Sequence, residues 1–400
     1  MPRTASVYVH FPWCLAKCPY CDFVSYATKR EEIDHRGYAD AVIHELERRA
    51  AAVGDRDWTV RSIFFGGGTP SLWEPVELGR VLRRARELLP CSEDVEITVE
   101  CNPTSLDRDR AAALGDVGVN RLSVGTQALR KDQLAFLGRL HDPDGALAAV
   151  RGALASGIAR VSTDMIFGLP EQSPEDASAQ AIALSELGLS HLSCYQLTIE
   201  PGTRFGELAK RGRLPLADDG RVAEAFLAID EALGARGLAH YEISNYAKPG
   251  EEARHNLGYW RGDEYLGVGC GAYGFVRSED GALPARGVRY RNAIDPRRYV
   301  EGAHAMRDDA IGEGDGLSMT SEPLDAETLL RERIMLGLRL ADGFDLAAAA
   351  QDLGVEGWTA ERARTAEQLE KRERLTRREG RAVIARDAWL WTDDTAARLF

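Results

Sequence analysis

Short apolar runs bounded by turn residues alternate along this chain with longer stretches in which apolar residues recur every three or four positions. Ser6–His10 predicts a first strand. Residues 32–53 place Tyr38, Val42 and Leu46 at i, i+4 and i+8, which predicts a helix. Val60–Phe65 predicts a second strand that runs into Gly66-Gly67-Gly68-Thr69-Pro70, and a helix follows over 76–89. The alternation repeats, with strands predicted at Val95–Glu100, Arg121–Gly125, Arg160–Phe167 and His191–Thr198 and helices over 105–116, 130–156, 174–188 and 218–236. Repeated strand–helix units predict the α/β class, a parallel sheet with helices outside it. Six such units fit a partial barrel, with the chemistry at the carboxyl ends of the strands.

After residue 240 the alternation fades. Ala272–Val276 and Gly287–Arg291 flank a polar turn beginning at Ser278, which predicts a hairpin. Residues 307–325 are rich in Asp, Gly, Ser and Glu and read as a linker. From Ala326 a helical pattern resumes, as in a small helical or winged-helix-like module. The division expected is a barrel over 1–240, an extension over 241–310 and a C-terminal module over 311–400. Fifty basic against 63 acidic residues give a net charge of −13, which argues against a nucleic-acid partner. There is no apolar leader and no run of 18 apolar residues. The expectation is a cytoplasmic protein, peripheral at the membrane only where a membrane-bound partner draws it there.

Seven cysteines lie at 14, 18, 21, 91, 101, 194 and 270. Three are clustered as Cys14-x3-Cys18-x2-Cys21, a pattern expected by chance roughly 0.002 times in a chain of this cysteine content. The trio therefore points to metal. Structural zinc is the alternative, but zinc normally takes four ligands, often from paired CxxC units, and no second pair exists here. Three thiolates on a cubane cluster leave one iron open to a small chelating molecule. The scattered cysteines have no partner spacing and read as small buried hydrophobes. Cys101, next to Glu100 on a strand, is expected to face away from the site.

A trio with this spacing just after a first strand resembles that of the radical S-adenosyl-L-methionine (SAM) superfamily. The resemblance implies a [4Fe-4S] cluster on Cys14, Cys18 and Cys21, SAM on its open iron, and an electron donor. Further residues resemble one branch of that superfamily, the oxygen-independent coproporphyrinogen III oxidases and the related HemW-type heme chaperones, over nearly the whole chain. Tyr8-Val-His-Phe-Pro-Trp-Cys14 is similar to the shared lead-in. The resemblance implies SAM contacts for Tyr8, Tyr20, the loop Gly66, Gly67, Gly68 and Thr69, and for Glu100, Gln127, Arg139, Asp164 and Thr198. His10 lies close to the cluster and is read as positioning a neighbouring backbone group.

Three features lean toward the heme chaperones. Phe23 stands where the oxidases have a fourth cysteine, only 13 residues precede Cys14, and His255-Asn256-Leu257-Gly258-Tyr259-Trp260 resembles the chaperones' His-Asn-x-x-Tyr-Trp motif. If helical, this segment places His255 and Tyr259 one turn apart. Imidazole is a common axial ligand of heme iron, and Trp260 would add a flat apolar surface. A packing motif with a satisfied histidine is the plainer reading of the residues themselves. The resemblance implies heme as a ligand at His255, Tyr259 and Trp260, a heme-acceptor protein as partner, and no catalytic residue for coproporphyrinogen oxidation. The oxidase reaction is the alternative, and a homodimer is compatible with the chain.

Overall fold

Val7, Val9 and Phe11 are wholly buried on strand β1 (Arg3–Phe11), because this strand lies inside the sheet with helices covering that face. The computed structural model describes residues 3–54, 56–278, 285–307 and 311–400. Two short strands follow, β2 (Trp13–Cys14) and β3 (Tyr26–Ala27). Next come α1 (His35–Val53), β4 (Trp58–Gly67), α2 (Pro75–Leu88), β5 (Cys91–Cys101), α3 (Arg108–Asp116) and β6 (Arg121–Gln127). Then come α4 (Lys131–Phe136), α5 (Pro143–Leu154), β7 (Arg160–Phe167), α6 (Pro174–Ser185) and β8 (His191–Gln196). Strands β1, β4, β5, β6, β7 and β8 are parallel neighbours in that order. These are the six units of the partial barrel that the periodicity predicts.

The helix predicted over 130–156 is two helices. Gly138 takes a left-handed φ of 66°, and Asp142 caps the second helix by accepting from the Gly145 N–H. The break matters, because it puts Arg139 between the helices and free to reach the site. Thr198, expected on the last barrel strand, lies two residues beyond its end.

The chain continues through α7 (Arg204–Lys210), α8 (Asp219–Gly234), β9 (Ala239–Glu242), β10 (Asn245–Ala247), α9 (Arg254–Arg261) and β11 (Glu264–Gly269). Strand β11 lies parallel to β1 on the side opposite β4, with Val7 opposite Leu266. This seventh parallel neighbour was not apparent in the sequence pattern. Strands β12 (Tyr273–Arg277) and β13 (Ala285–Asn292) form the expected antiparallel hairpin, whose turn over 279–284 lies outside the described residues. After α10 (Pro296–His304) comes β14 (Ser318–Asp325), paired to β13 as the edge of a 12-stranded sheet. The linker reading of 307–325 is corrected here: an edge strand with most side chains in solvent is as polar as a loop.

A buried ionic knot joins this extension to the barrel. Arg49 on α1 pairs with Glu45 at 2.8 Å and Asp315 at 3.2 Å, donates to the Asn292 Oδ1 at 2.8 Å, and lies 3.8 Å from the centre of the Tyr290 ring. Glu45 also accepts from the Gly269 N–H and the Tyr299 hydroxyl.

The remaining elements are α11 (Ala326–Gly337), α12 (Leu346–Leu353), α13 (Ala360–Lys371), the antiparallel pair β15 (Leu375–Arg378) and β16 (Arg381–Ile384), and α14 (Thr392–Ala397). Four helices and a two-stranded wing match the module predicted. Its core of Leu330, Ile334, Leu338, Leu375 and Ile384 also packs on Phe275 and Leu324 of the sheet. The last strand of the sheet ends at Asp325, where the helical module begins. Among the described residues no helix is long and apolar enough to cross a membrane.

Candidate functional site

The carboxyl end of β1 feeds a loop that carries Cys14, Cys18 and Cys21, all free thiols. Backbone pairing fixes where the loop starts and ends. Trp13 and Cys14 pair with Tyr26 and Ala27, and the Thr28 N–H donates to the Cys14 carbonyl at 2.9 Å. The His10 Nε2 lies 2.7 Å from the Val24 carbonyl, so it must donate, and the Nδ1 then accepts from the Tyr8 hydroxyl at 3.0 Å. Burial drives the pKa of His10 down to about 4, which keeps that ring neutral. The Lys17 ammonium donates to the Phe23 and Ser25 carbonyls. The loop is thus tied at its start, middle and end.

The three thiols border one cavity of about 620 Å³. Arg139, reaching in from the break between α4 and α5, places its Nη1 3.4 Å from the Cys18 sulfur and donates from Nη2 to the Gly125 carbonyl at 3.0 Å. Burial raises the Cys14 and Cys21 thiols, so thiolate formation there needs a metal to take the place of the proton. Among the described residues no three His, Cys, Asp or Glu side chains meet at a point fit for a single ion. Three free thiols spread along one cavity wall, with a guanidinium beside one of them, fit the separated corners of a cubane cluster.

The glycine loop after β4 crosses directly over the exit of β1. The Gly68 and Thr69 N–H groups donate to the Phe11 and Trp13 carbonyls, and a Cβ on Gly68 would sit 2.6 Å from the Trp13 oxygen. Gly67 has a φ of 111° and its N–H donates to the Glu100 Oε2 at 3.1 Å. Gly67, Gly68, Thr69, Glu100, Gln127, Arg139, Asp164, Tyr20 and Thr198 all border the same cavity as the three thiols. Gln127 is held at a φ of 66°, the kind of backbone strain found at binding sites. Burial and the neighbouring Asp164 push Glu100 up to about 8. Asp164 is also raised by burial, offset by hydroxyl donors that include Ser123 at 3.0 Å.

Tyr8 and Gly66 are not on the cavity wall: Tyr8 is engaged with His10, and it lies under Gly66, where a Cβ would come within 2.9 Å of its ring. Cys101 and Cys194 are buried as read, yet both border the cavity; the Cys101 sulfur donates to the Val99 carbonyl.

The sequence reading missed the outer end of the cavity. Tyr195, Phe226, Ile243 and Ser244 from the last barrel strands and helices face Arg339, Trp389, Leu390 and Asp393 from the C-terminal module. No motif marks this end, because it is assembled from segments far apart in the sequence. Phe23, Tyr195, Ile243 and Ser244 also border a second, largely apolar cavity of about 800 Å³. Tyr259, Trp260, Tyr265 and Phe275 line it from the barrel side, and Leu329, Met335 and Leu336 from α11.

The segment from Arg254 is helical as predicted, and the His255 ring meets Tyr259 edge-on at 4.9 Å, but His255 does not border the second cavity. It is 2% exposed, with its Nδ1 2.9 Å from the Ser62 hydroxyl and its ring stacked 4.6 Å from Phe64. Its backbone N–H donates to Glu96. His255 thus sits in the barrel floor: the i, i+4 spacing brings its ring against Tyr259, while its Nδ1 turns to the Ser62 hydroxyl. Burial lowers its pKa to about 3.

Comparison with known proteins places this arrangement. Residues 8–179 match the model of the radical SAM superfamily and residues 324–391 that of the HemN C-terminal domain. The chain is 41% identical to the heme chaperone HemW of Escherichia coli over 75% of its own length and 76% of that protein's. It is 36% identical to the heme chaperone HemW of Mycobacterium tuberculosis over 85% and 83%. The chain belongs to the HemW family of radical SAM proteins. A solved structure of coproporphyrinogen III oxidase (HemN) from Escherichia coli shares the fold, with a TM-score of 0.79 at 21% identity over 100% of this chain and 90% of that one. The [4Fe-4S] cluster and SAM are the cofactors of the superfamily, and Cys14, Cys18 and Cys21 are the residues that would hold the cluster. In this HemW-family chain Phe23, two residues past Cys21, is 57% exposed and faces both cavities.

Proposed function

We propose that this protein is a heme chaperone: it holds one heme beside a [4Fe-4S] cluster and SAM and passes it to an acceptor protein. The observation that carries this reading is the second cavity. It is large, aromatic on one side and aliphatic on the other, and shares a wall with the cofactor cavity, as a site for a flat apolar ligand requires. Tyr259 and Trp260 belong to that site; Tyr20, Thr69, Glu100, Gln127, Arg139, Asp164 and Thr198 belong to the SAM site, with Tyr8 and Gly66 supporting it. A [4Fe-4S] cluster held by Cys14, Cys18 and Cys21 would supply one-electron redox chemistry beside SAM. The protein's own part is to keep the loop rigid, hold Glu100 and Asp164 in a dry wall, and separate the two ligands by Phe23 and Tyr195. An electron donor and the acceptor are the partners implied.

The test is an anaerobic heme titration of the cluster-reconstituted protein, followed by the Soret band. Saturation near one heme per chain supports the proposal, and unsaturable binding overturns it. Anaerobic conversion of coproporphyrinogen to protoporphyrinogen at a useful rate would favour the oxidase alternative; none is expected with Phe23 in place of a cysteine.

A further inference from the structure

Heme carries two propionate carboxylates, and its seat needs a cation that can be released to meet one. The cofactor cavity is bordered by three cations. Lys17 is committed to the backbone of the cluster loop, and Arg139 to Cys18 and Gly125. The third, Arg339, lies just past the end of α11 and is only 17% exposed; its Nη1 donates to the Met335 carbonyl, and among the described residues its Nη2 is held by Asp393 alone. Its guanidinium is 5.7 Å from the centre of the Trp260 ring, which belongs to the second cavity. Arg339 therefore lies where the two cavities adjoin, against an aromatic wall.

Its acidic partner is unlike those of the other cavity-lining arginines. Arg333, on the second cavity, pairs with Asp352, which is 47% exposed, and Arg289 with Glu332 and Glu322, which are 26% and 60% exposed. Arg339 pairs with Asp393, whose side chain is 81% exposed. An exposed carboxylate in water holds its partner weakly, so exchanging it for another carboxylate costs little. The other nearby acid is occupied, since Glu242 accepts from the Asn245 side chain and the Ser244 N–H. Asp393 is also the C-terminal module's own contribution to the cavity rim.

We propose that Arg339 is the receptor for a propionate carboxylate of the bound tetrapyrrole, and that Asp393 holds its place until the cargo arrives. This rests on the heme-chaperone reading and deepens it. Exchange of one carboxylate for another forms and breaks no covalent bond. The cargo enters by displacing Asp393, its ring plane lies along Trp260, and Asp393 returns to Arg339 as the cargo leaves.

The test compares heme with its dimethyl ester, which has the same ring and no free carboxylate. The proteins are the cluster-reconstituted wild type, Arg339→Gln and Asp393→Asn, with folding checked by circular dichroism and iron content. Arg339→Gln is expected to weaken heme binding about tenfold while leaving the diester unchanged, as loss of a charge-assisted hydrogen bond requires. Asp393→Asn is expected to tighten heme binding about threefold, because the competing acid is gone. Equal loss for heme and diester in Arg339→Gln, no loss at all, or weaker heme binding in Asp393→Asn overturns the assignment while the chaperone reading stands. If the wild type takes up no heme saturably, both fall together.

Discussion

At the scale of single residues, the site depends on close approach and on burial of carboxyl groups. A Cβ on Gly67 would lie 2.5 Å from the His10 ring, and the φ of 111° is costly for any other residue. Gly67→Ala should therefore cost about 1–3 kcal/mol and loosen the cluster loop through His10. Thermal melts and iron content after reconstitution would show both effects. Glu100 gives a pH-dependent prediction. In the folded protein its carboxyl keeps a proton up to about pH 8, against a usual 4.5. Between those values the folded state binds more protons than the unfolded one, so stability falls as pH rises. In the cofactor-free protein, Glu100→Gln should melt higher than wild type above about pH 8, with the advantage fading toward about pH 5. A constant difference across that range would contradict the burial argument. Much of this site was legible in advance, because Cys14, Cys18, Cys21 and the glycine run lie close together in sequence. The i, i+4 spacing brings the His255 ring against Tyr259, but its burial against Phe64 and Ser62 was not legible, because those partners lie on a strand far away in sequence.

At the scale of elements, most strands and helices followed from apolar periodicity, and the exceptions share a cause. The edge strand β14 is too polar to signal itself, since its order comes from pairing with β13. The break between α4 and α5 was hidden by continuous helical periodicity and is set by Gly138 and Asp142. The ionic knot under β11 and β13 joins elements that no short-range pattern connects. Arg49, Glu45 and Asp315 are all fully buried, so removing the cation leaves two carboxylates without their partner. Arg49→Met should destabilise the protein by about 3–5 kcal/mol, measurable as a lower denaturant midpoint. A shift under about 1 kcal/mol would mean that water reaches the knot.

At the scale of the whole molecule, the C-terminal module is a wall of the site as well as a domain. Its core rests on Phe275 and Leu324 of the sheet, and its segment from Trp389 to Asp393 borders the cofactor cavity. Truncation after Asp325 should expose that apolar face, so the shortened chain is expected to aggregate, as light scattering would show. A soluble, monodisperse truncation would mean that the sheet does not need the cover. The order of assembly follows from one pairing. Strand β1 has β4 on one side and β11 on the other. The first of these neighbours is complete by Gly67 and the second only at Gly269. While a ribosome is still translating the chain, β1 has a bare edge for two hundred residues of synthesis. The cysteine loop that follows it hangs beside that open edge. Metal delivered during translation meets a loop hinged on one side, whereas metal delivered after release meets one clamped on both.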